Sequence, residues 1–445
     1  METVSSRHRV GYQEVHAVLG RHLLVDGLHL VMDLERSHGV RIFDGLRGRE
    51  VLDFFGAFST IPVGYNHHGT RTEEFRRRIL PAALNKPSSS DIYTPELAEF
   101  VSTFARTLPP PLRNHLFFIE GGALAVENAL KAAFDWKVRK NLAAGRGERG
   151  TAVLHFRQAF HGRSGYTLSL TNTADPRKIQ YFPKFSWPRV SNPKLSFPVT
   201  PEVLADVEAA ERRTLEEIEA ALAADPDGIA ALLLEPIQGE GGDNHFRPEF
   251  LHALRALADE AELLLVFDEV QTGFGTTGRW WCCEHFEVLP DILVFGKKSQ
   301  VCGIAATARL DEVDSVFRVP SRINSTWGGN LVDMVRCQRF IEIIEEEALL
   351  ENAVRVGEDF LAGLRDLEGR FPGQVTNARG RGLMLAFDLP DRDLRTRALR
   401  ALNERDLLAL PSGERAIRFR PALVIREADV DEGLDRLART LHGLF

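Results

Sequence analysis

Three short apolar runs in the middle of the chain each end in charge. Ile229–Leu234 (IAALLL) runs into Glu235, the LLLVF of residues 263–267 into Asp268 and Glu269, and Ile292–Phe295 (ILVF) into Gly296, Lys297 and Lys298. None alternates apolar with polar positions, which predicts strands covered on both faces, as in a parallel sheet. A further run over 116–119 leads through Gly121 and Gly122 into an Ala/Leu-rich helix opening at about Ala123, and TAVLHFRQAF leads to Phe160, His161, Gly162 and Arg163. Helical patterns such as EVLADVEAAERRTLEEIEAALAA lie between the runs, so strand and helix alternate over residues 76–330, the large domain. Residues 1–75 hold short strand-like pieces such as RIFDGLRGREVLDFF and are expected to join the small domain. Residues 331–445 open on a long helical pattern and end in GLMLAFDL, AIRFRPALV and a last helix, a smaller α+β domain. The Pro-rich stretch 182–201 is too apolar for a disordered linker and predicts an ordered excursion packed over the site or an interface.

Composition narrows the partners. The 445 residues allow two or three domains, and a net charge of −8 without a long basic block argues against nucleic acid or an anionic membrane surface. METVSSRHRV lacks an apolar export segment, and no uncharged run approaches the ~20 residues of a membrane span, so a cytoplasmic protein is expected. Four cysteines without CxxC spacing suggest neither a disulfide framework nor a zinc site, but reduced thiols.

In open α/β sheets ligands sit beyond the carboxyl ends of the strands. One acid there is commonly an ordinary solvated residue, whereas Glu235, Asp268 and a lysine pair delivered to one edge point to a site. GRGERG, Gly145 to Gly150, matches a dinucleotide-binding pattern in letters, yet it follows a helix and precedes a strand, so it reads as a helix cap and surface loop. The Gly121-Gly122 turn has the required order, and N–H groups at a glycine-opened helix N-terminus suit a phosphate. Phosphate turn, aspartate and lysine together fit pyridoxal phosphate, whose ring nitrogen needs a carboxylate and whose aldehyde needs an amine. Phe160 offers a flat apolar face to such a ring.

GGALAVENALKAA, AFHGRSG, EPIQGEGG, FDEVQTGFGTTG, PDILVFGKK, STWGGN and IRFRP, in this order, resemble the class III, ornithine-type aminotransferases. The resemblance spans nearly the whole chain and implies the fold type I architecture, a large domain with a mostly parallel central sheet plus a smaller α+β domain. It implies pyridoxal 5'-phosphate as cofactor, with Lys297 as the Schiff-base lysine, Asp268 as partner of the ring nitrogen and Gln271 near its phenolic oxygen. Gly122 and Ala123 fall in the phosphate turn, Phe160 stacks on the ring, Glu235 belongs to the cofactor site, and Thr326 is given to the phosphate of a neighbouring subunit in a homodimer. Lys298 is then a structural or surface neighbour. FHGRSGYTLSLTNT, FSWPR, GKKSQVCG and NSTWGGNLVDMVR are similar to the L-lysine 6-aminotransferase branch, which implies L-lysine and 2-oxoglutarate as substrates and a place in lysine catabolism. On this resemblance Arg163 holds the α-carboxylate of lysine and then the γ-carboxylate of 2-oxoglutarate, Arg418 holds the α-carboxylate of 2-oxoglutarate, and Asn324 also contacts substrate. Glu240 neutralises Arg418 by an ion pair in the first half-reaction and releases it in the second. FFGAFSTIPVGYNHHG, from Phe54, departs from the branch near the substrate channel. Ornithine- or 4-aminobutyrate-type aminotransferases, decarboxylases, racemases and aminomutases share this lysine, aspartate and turn, and a catalytically inactive binding protein is a further alternative.

Overall fold

The runs that end in charge lie side by side. The computed structural model describes residues 10–445; the expectations for the first nine residues, including most of METVSSRHRV, lie outside that range. Its largest sheet takes the order His115–Ile119, Cys302–Ala306, Ile292–Phe295, Leu264–Asp268, Ile229–Leu234, Ala152–Phe156 and Arg189–Val190. All pairings are parallel except those of Cys302–Ala306, which runs against both neighbours. The missing alternation in the central strands has a direct cause. Leu265 and Phe267 enter one hydrophobic core while Leu264 and Val266 enter another on the opposite face, so each position must be apolar. The helix Gly122–Ala143 covers the second face. The carboxyl ends of the parallel strands thereby share one edge of the sheet.

Two four-stranded sheets and a two-stranded one, Ile237–Gln238 with Asn244–His245, complete the architecture. Met32–His38, Arg41–Asp44 and Arg49–Asp53 form a meander that Leu407–Leu408 extends in parallel, so the N-terminal strands are tied to the far end of the chain. Thr376–Arg381, Met384–Asp388, Ala416–Phe419 and Leu410–Ser412 form an antiparallel sheet. The helix Leu349–Arg370 packs on it and Glu427–His442 packs in turn on that helix, while Leu331–Glu346 packs against Glu73–Leu84 and Pro95–Thr107. Among the described residues no helix is long and apolar enough to cross a membrane. All four cysteines are free, and Cys282, Cys283 and Cys337 are buried.

The Pro-rich stretch is ordered. Phe185 stacks on Trp187 at 4.9 Å between ring centres, and its N–H donates to Ser169 Oγ. Farther on, the N–H of Leu195 donates to the carbonyl of His245 and that of Phe197 to Asn377 Oδ1, joining the excursion to the smaller sheet. GRGERG lies between the helix ending at Ala143 and the strand beginning at Ala152, with Arg146 paired to Glu262 and Arg149 to Asp225, a surface loop.

The segment FFGAFST, from Phe54, has an unusual backbone. Gly56, Ala57, Phe58 and Ser59 all have positive φ, from 47° to 71°. A Cβ on Gly56 would stand 2.1 Å from the Arg420 carbonyl oxygen, so only glycine fits. Buried Asp53 holds the turn by accepting the N–H groups of Phe55 and Gly56, and it is itself held by the Tyr65 hydroxyl at 2.8 Å.

Candidate active site

Asp268 and Glu269 close the same strand and serve different ends. Asp268 accepts the Val270 N–H on Oδ1 at 3.1 Å, and its Oδ2 lies 2.8 Å from His161 Nδ1. His161 is buried and its Nε2 has no partner. Sequence reasoning gave this histidine no role; the only signal was its place between Phe160 and Gly162. Glu269 turns away from the site and accepts the N–H groups of Cys282 and Cys283 and the hydroxyl of Thr272. Burial pushes its carboxyl up to about 7. Glu235 also anchors backbone, taking the Phe160 N–H at 2.9 Å and the Gly239 N–H at 2.8 Å, and burial raises it to about 7.

The lysine pair divides in the same way. Lys297 reaches the cavity from a left-handed backbone, φ 50°. Burial first, and Arg418 second, lower its proton affinity against the opposing pull of Asp268 and Glu235, which favours a nucleophilic neutral amine. Lys298 points the other way, with its Nζ 3.2 Å from Ser59 Oγ and 3.4 Å from the Pro421 carbonyl oxygen. It is a buried structural lysine, pushed down to about 7 by burial.

Lys297, Asp268, Phe160, Gln271, Gly122 and Ala123 line a cavity of about 390 Å³. Gly121, at φ 103°, opens the 22-residue helix Gly122–Ala143, whose first N–H groups have no acceptor within the helix. Gly162 is equally constrained, since a Cβ there would meet the Cβ of Ala123 at 2.5 Å. An outer chamber of about 560 Å³ shares Lys297, Phe160, Gln271 and Arg163 with the inner one and adds Phe58, Lys178, Glu240, Arg395 and Arg418.

The outer chamber holds the two charges expected to pair in the first half-reaction apart from each other. Glu240 is not paired with Arg418; its Oε1 accepts from Lys178 Nζ at 2.6 Å and Thr173 Oγ1 at 2.8 Å, and its buried Oε2 has no partner. Arg418 donates from Nη1 to Gln271 Oε1 at 2.7 Å, and its Nε is buried without a partner. Burial and the neighbouring Arg420 lower Arg418 to about 10, while Arg420 is committed to Asp243 at 2.6 Å. Lys178 competes for the carboxylate that sequence reasoning gave wholly to Arg418, and nothing in ADPRKIQ distinguished it beforehand. Asn324 and Thr326 line neither chamber from within their own chain. The Asn324 side chain accepts the Ser325 N–H, and the Thr326 carbonyl accepts the Ser88 hydroxyl. His67, His68 and Glu347 cluster at the surface, but His67 Nδ1 accepts the Gly69 N–H, which leaves the proton on Nε2 facing Glu347. That tautomer makes a hydrogen bond to the carboxylate rather than a metal donor.

The class III aminotransferase model matches residues 25–441. The chain belongs to the class III aminotransferases. Among curated members, the L-lysine-epsilon aminotransferase of Mycobacterium tuberculosis is 52% identical over 423 residues, covering 94% of this chain and 93% of that protein. The enzyme of the same name from Streptomyces clavuligerus is 50% identical, covering 96% and 94%. The solved lysine aminotransferase of M. tuberculosis superposes with a TM-score of 0.95 at 50% identity, over 98% of this chain and 100% of that one. Human mitochondrial 4-aminobutyrate aminotransferase stands farther off, at 30% identity over 90% of this chain and 83% of that protein. Class III aminotransferases use pyridoxal phosphate, and the inner cavity fits it. It offers a buried amine, a carboxylate fixed by a histidine whose other nitrogen is unpaired, the apolar surfaces of Phe160 and Val270, and a glycine-opened helix.

Proposed function

We propose that this aminotransferase moves the ε-amino group of L-lysine to 2-oxoglutarate, giving L-glutamate and 2-aminoadipate 6-semialdehyde, which cyclises to piperideine-6-carboxylate. The observation that carries this reading is the outer chamber, where Arg163 and Arg418 lie beyond Lys297 together with a carboxylate oxygen, Glu240 Oε2, that has no partner. Two arginines suit substrates that each bring a distal carboxylate, because a guanidinium binds carboxylates through a planar fork. The fifty-per-cent identity to lysine enzymes favours lysine among the ω-amino donors.

Bound pyridoxal phosphate supplies an aldehyde that carries the amino group and a ring that takes up the electron pair left by a lost proton. Asp268, fixed by His161, would keep the ring nitrogen protonated, Gly122 and Ala123 would receive the phosphate, and Phe160 would offer its face to the ring. Arg163 holds the α-carboxylate of lysine so that the distal amine faces Lys297. Lys297 Nζ then takes a proton from the ε-carbon of lysine, a role that needs the uncharged amine which burial favours. Arg418 takes the α-carboxylate of 2-oxoglutarate in the return half-reaction, with Arg163 on its γ-carboxylate. Asn324 and Thr326 complete the neighbouring site of a homodimer, and the enzyme works in the cytoplasm in lysine breakdown.

Donor competition tests the reading. Glutamate formation from 2-oxoglutarate is measured with L-lysine, ornithine and 4-aminobutyrate, and kcat/KM for L-lysine should exceed the others by at least about tenfold. A preference for ornithine or 4-aminobutyrate would reassign the donor, and CO₂ release from labelled lysine without an oxo acid would replace transamination by decarboxylation.

A further inference from the structure

Glu240 shares the outer chamber with three cations that act on it, Lys178, Arg418 and Arg395, and of these it bonds directly to Lys178 alone. Its Oε1 is taken by Lys178 and Thr173, and its Oε2 is buried and unpaired. Arg418 lies near enough for the two charges to act on each other, and its Nε is likewise buried and unpaired. Lys178 has few other calls on it. It closes the short turn Pro176–Lys178, where Asp175 is paired with Arg177 at 2.9 Å, and among the described residues only Glu240 stands at ion-pair distance from its ammonium. The Lys178 side chain is 35% exposed and that of Glu240 18%, so Lys178 can move with the carboxylate or let it go at little cost in desolvation.

We propose that Lys178 is the second docking point of Glu240, a positioning residue that holds this carboxylate off Arg418 and so keeps Arg418 open to the α-carboxylate of a dicarboxylic oxo acid. The proposal rests on the reading of Arg418 as the oxo-acid site. A dicarboxylate entering the chamber would meet repulsion from a free Glu240 and competition from a Glu240 already paired with Arg418. Docking on Lys178 removes both obstacles. Glu240 thus samples two positions whose balance a ligand shifts through its different affinity for each. An amino donor, which brings an ammonium group, has no need of a bare Arg418 and is served by the other position.

Isothermal titration of the holoenzyme with glutarate, an unreactive dicarboxylate, reads this coupling without turnover. Lys178→Met should weaken glutarate binding roughly fivefold, the scale of a partly exposed ion pair. In steady state the same variant should raise KM for 2-oxoglutarate and leave KM for the amino donor unchanged or lower. The double variant Lys178→Met/Glu240→Gln should bind glutarate as well as Glu240→Gln alone, because with the carboxylate gone nothing remains to be held aside. A loss that persists in the Glu240→Gln background would mean that Lys178 touches the ligand directly, and an unchanged Lys178→Met would mean that it does nothing; either result overturns the proposal. Arg418→Met binding glutarate like the parent enzyme would also overturn it. Failure of L-lysine as donor would remove the proposed reaction but leave this coupling standing, since the titrations involve no donor.

Discussion

Lys297 and Lys298 are neighbours in sequence with opposite surroundings, and two tests separate them. Lys297→Ala should abolish the borohydride-fixed cofactor label and cut turnover by at least about a thousandfold, since it removes both attachment and proton carrier. Lys298→Met should keep the label on Lys297, as peptide mapping would report. Lys298 also carries a pH signature. Its folded pKa, about 7, lies below the ~10.4 of an unfolded lysine, so between these values the unfolded chain binds a proton that the native protein does not. Stability from this group therefore rises with pH across that window and falls as pH drops toward 7. Melting temperatures at about pH 7 and about pH 9.5 should show a rise in the parent protein that Lys298→Met lacks. Strand-end residues such as Asp268 and Lys297 were legible because an apolar run that stops in charge announces itself. His161 was not, because its importance comes from Asp268, more than a hundred positions away in sequence. Nor was Lys178, which sits in a short turn without periodicity and matters only through Glu240.

At the scale of elements, the strands with uniform apolar character were readable and their neighbours less so. Cys302–Ala306 runs antiparallel inside a parallel sheet, a direction fixed by a connection too short for a crossover helix, and the letters VCGIAATA do not show it. The left-handed turn from Gly56 to Ser59 was visible only as an oddity of FFGAFST, since its support comes from Asp53, Tyr65, Lys298 and Gln300, spread over the chain. The site itself depends on how closely two turns approach. Gly162→Ala places a Cβ against Ala123 in a left-handed backbone, which should cost about 1–3 kcal/mol of stability and weaken cofactor affinity. Thermal denaturation of the apoprotein and a cofactor titration would show the two losses together. An unchanged affinity would mean that the Gly122 turn does not need this packing.

For the whole molecule, the expectation of a shared site leads to a complementation test. If Thr326 serves the partner's phosphate site, a mixed dimer of one Lys297→Ala chain and one Thr326→Ala chain contains one intact site and one doubly impaired site. Mixing the two inactive or weakened variants under conditions of subunit exchange should then yield more activity than either parent, with sedimentation at twice the chain mass. Activity no greater than the parents' would place Thr326 in its own subunit or leave it outside the site. A single sequence describes contacts across such an interface only through resemblance, because no periodicity within one chain encodes which surface its partner covers.

The pairing of Leu407–Leu408 with Leu52–Asp53 has a consequence for synthesis. These strands are about 350 residues apart, so the edge of the N-terminal meander stays open on the ribosome until nearly the whole protein has emerged. During that interval Arg49–Asp53 exposes an unpaired row of backbone donors and acceptors, with Val51 and Leu52 beside it. The large central sheet can close first, since its last strand ends at Ala306, which leaves the early strands as the segment most in need of a chaperone while translation continues.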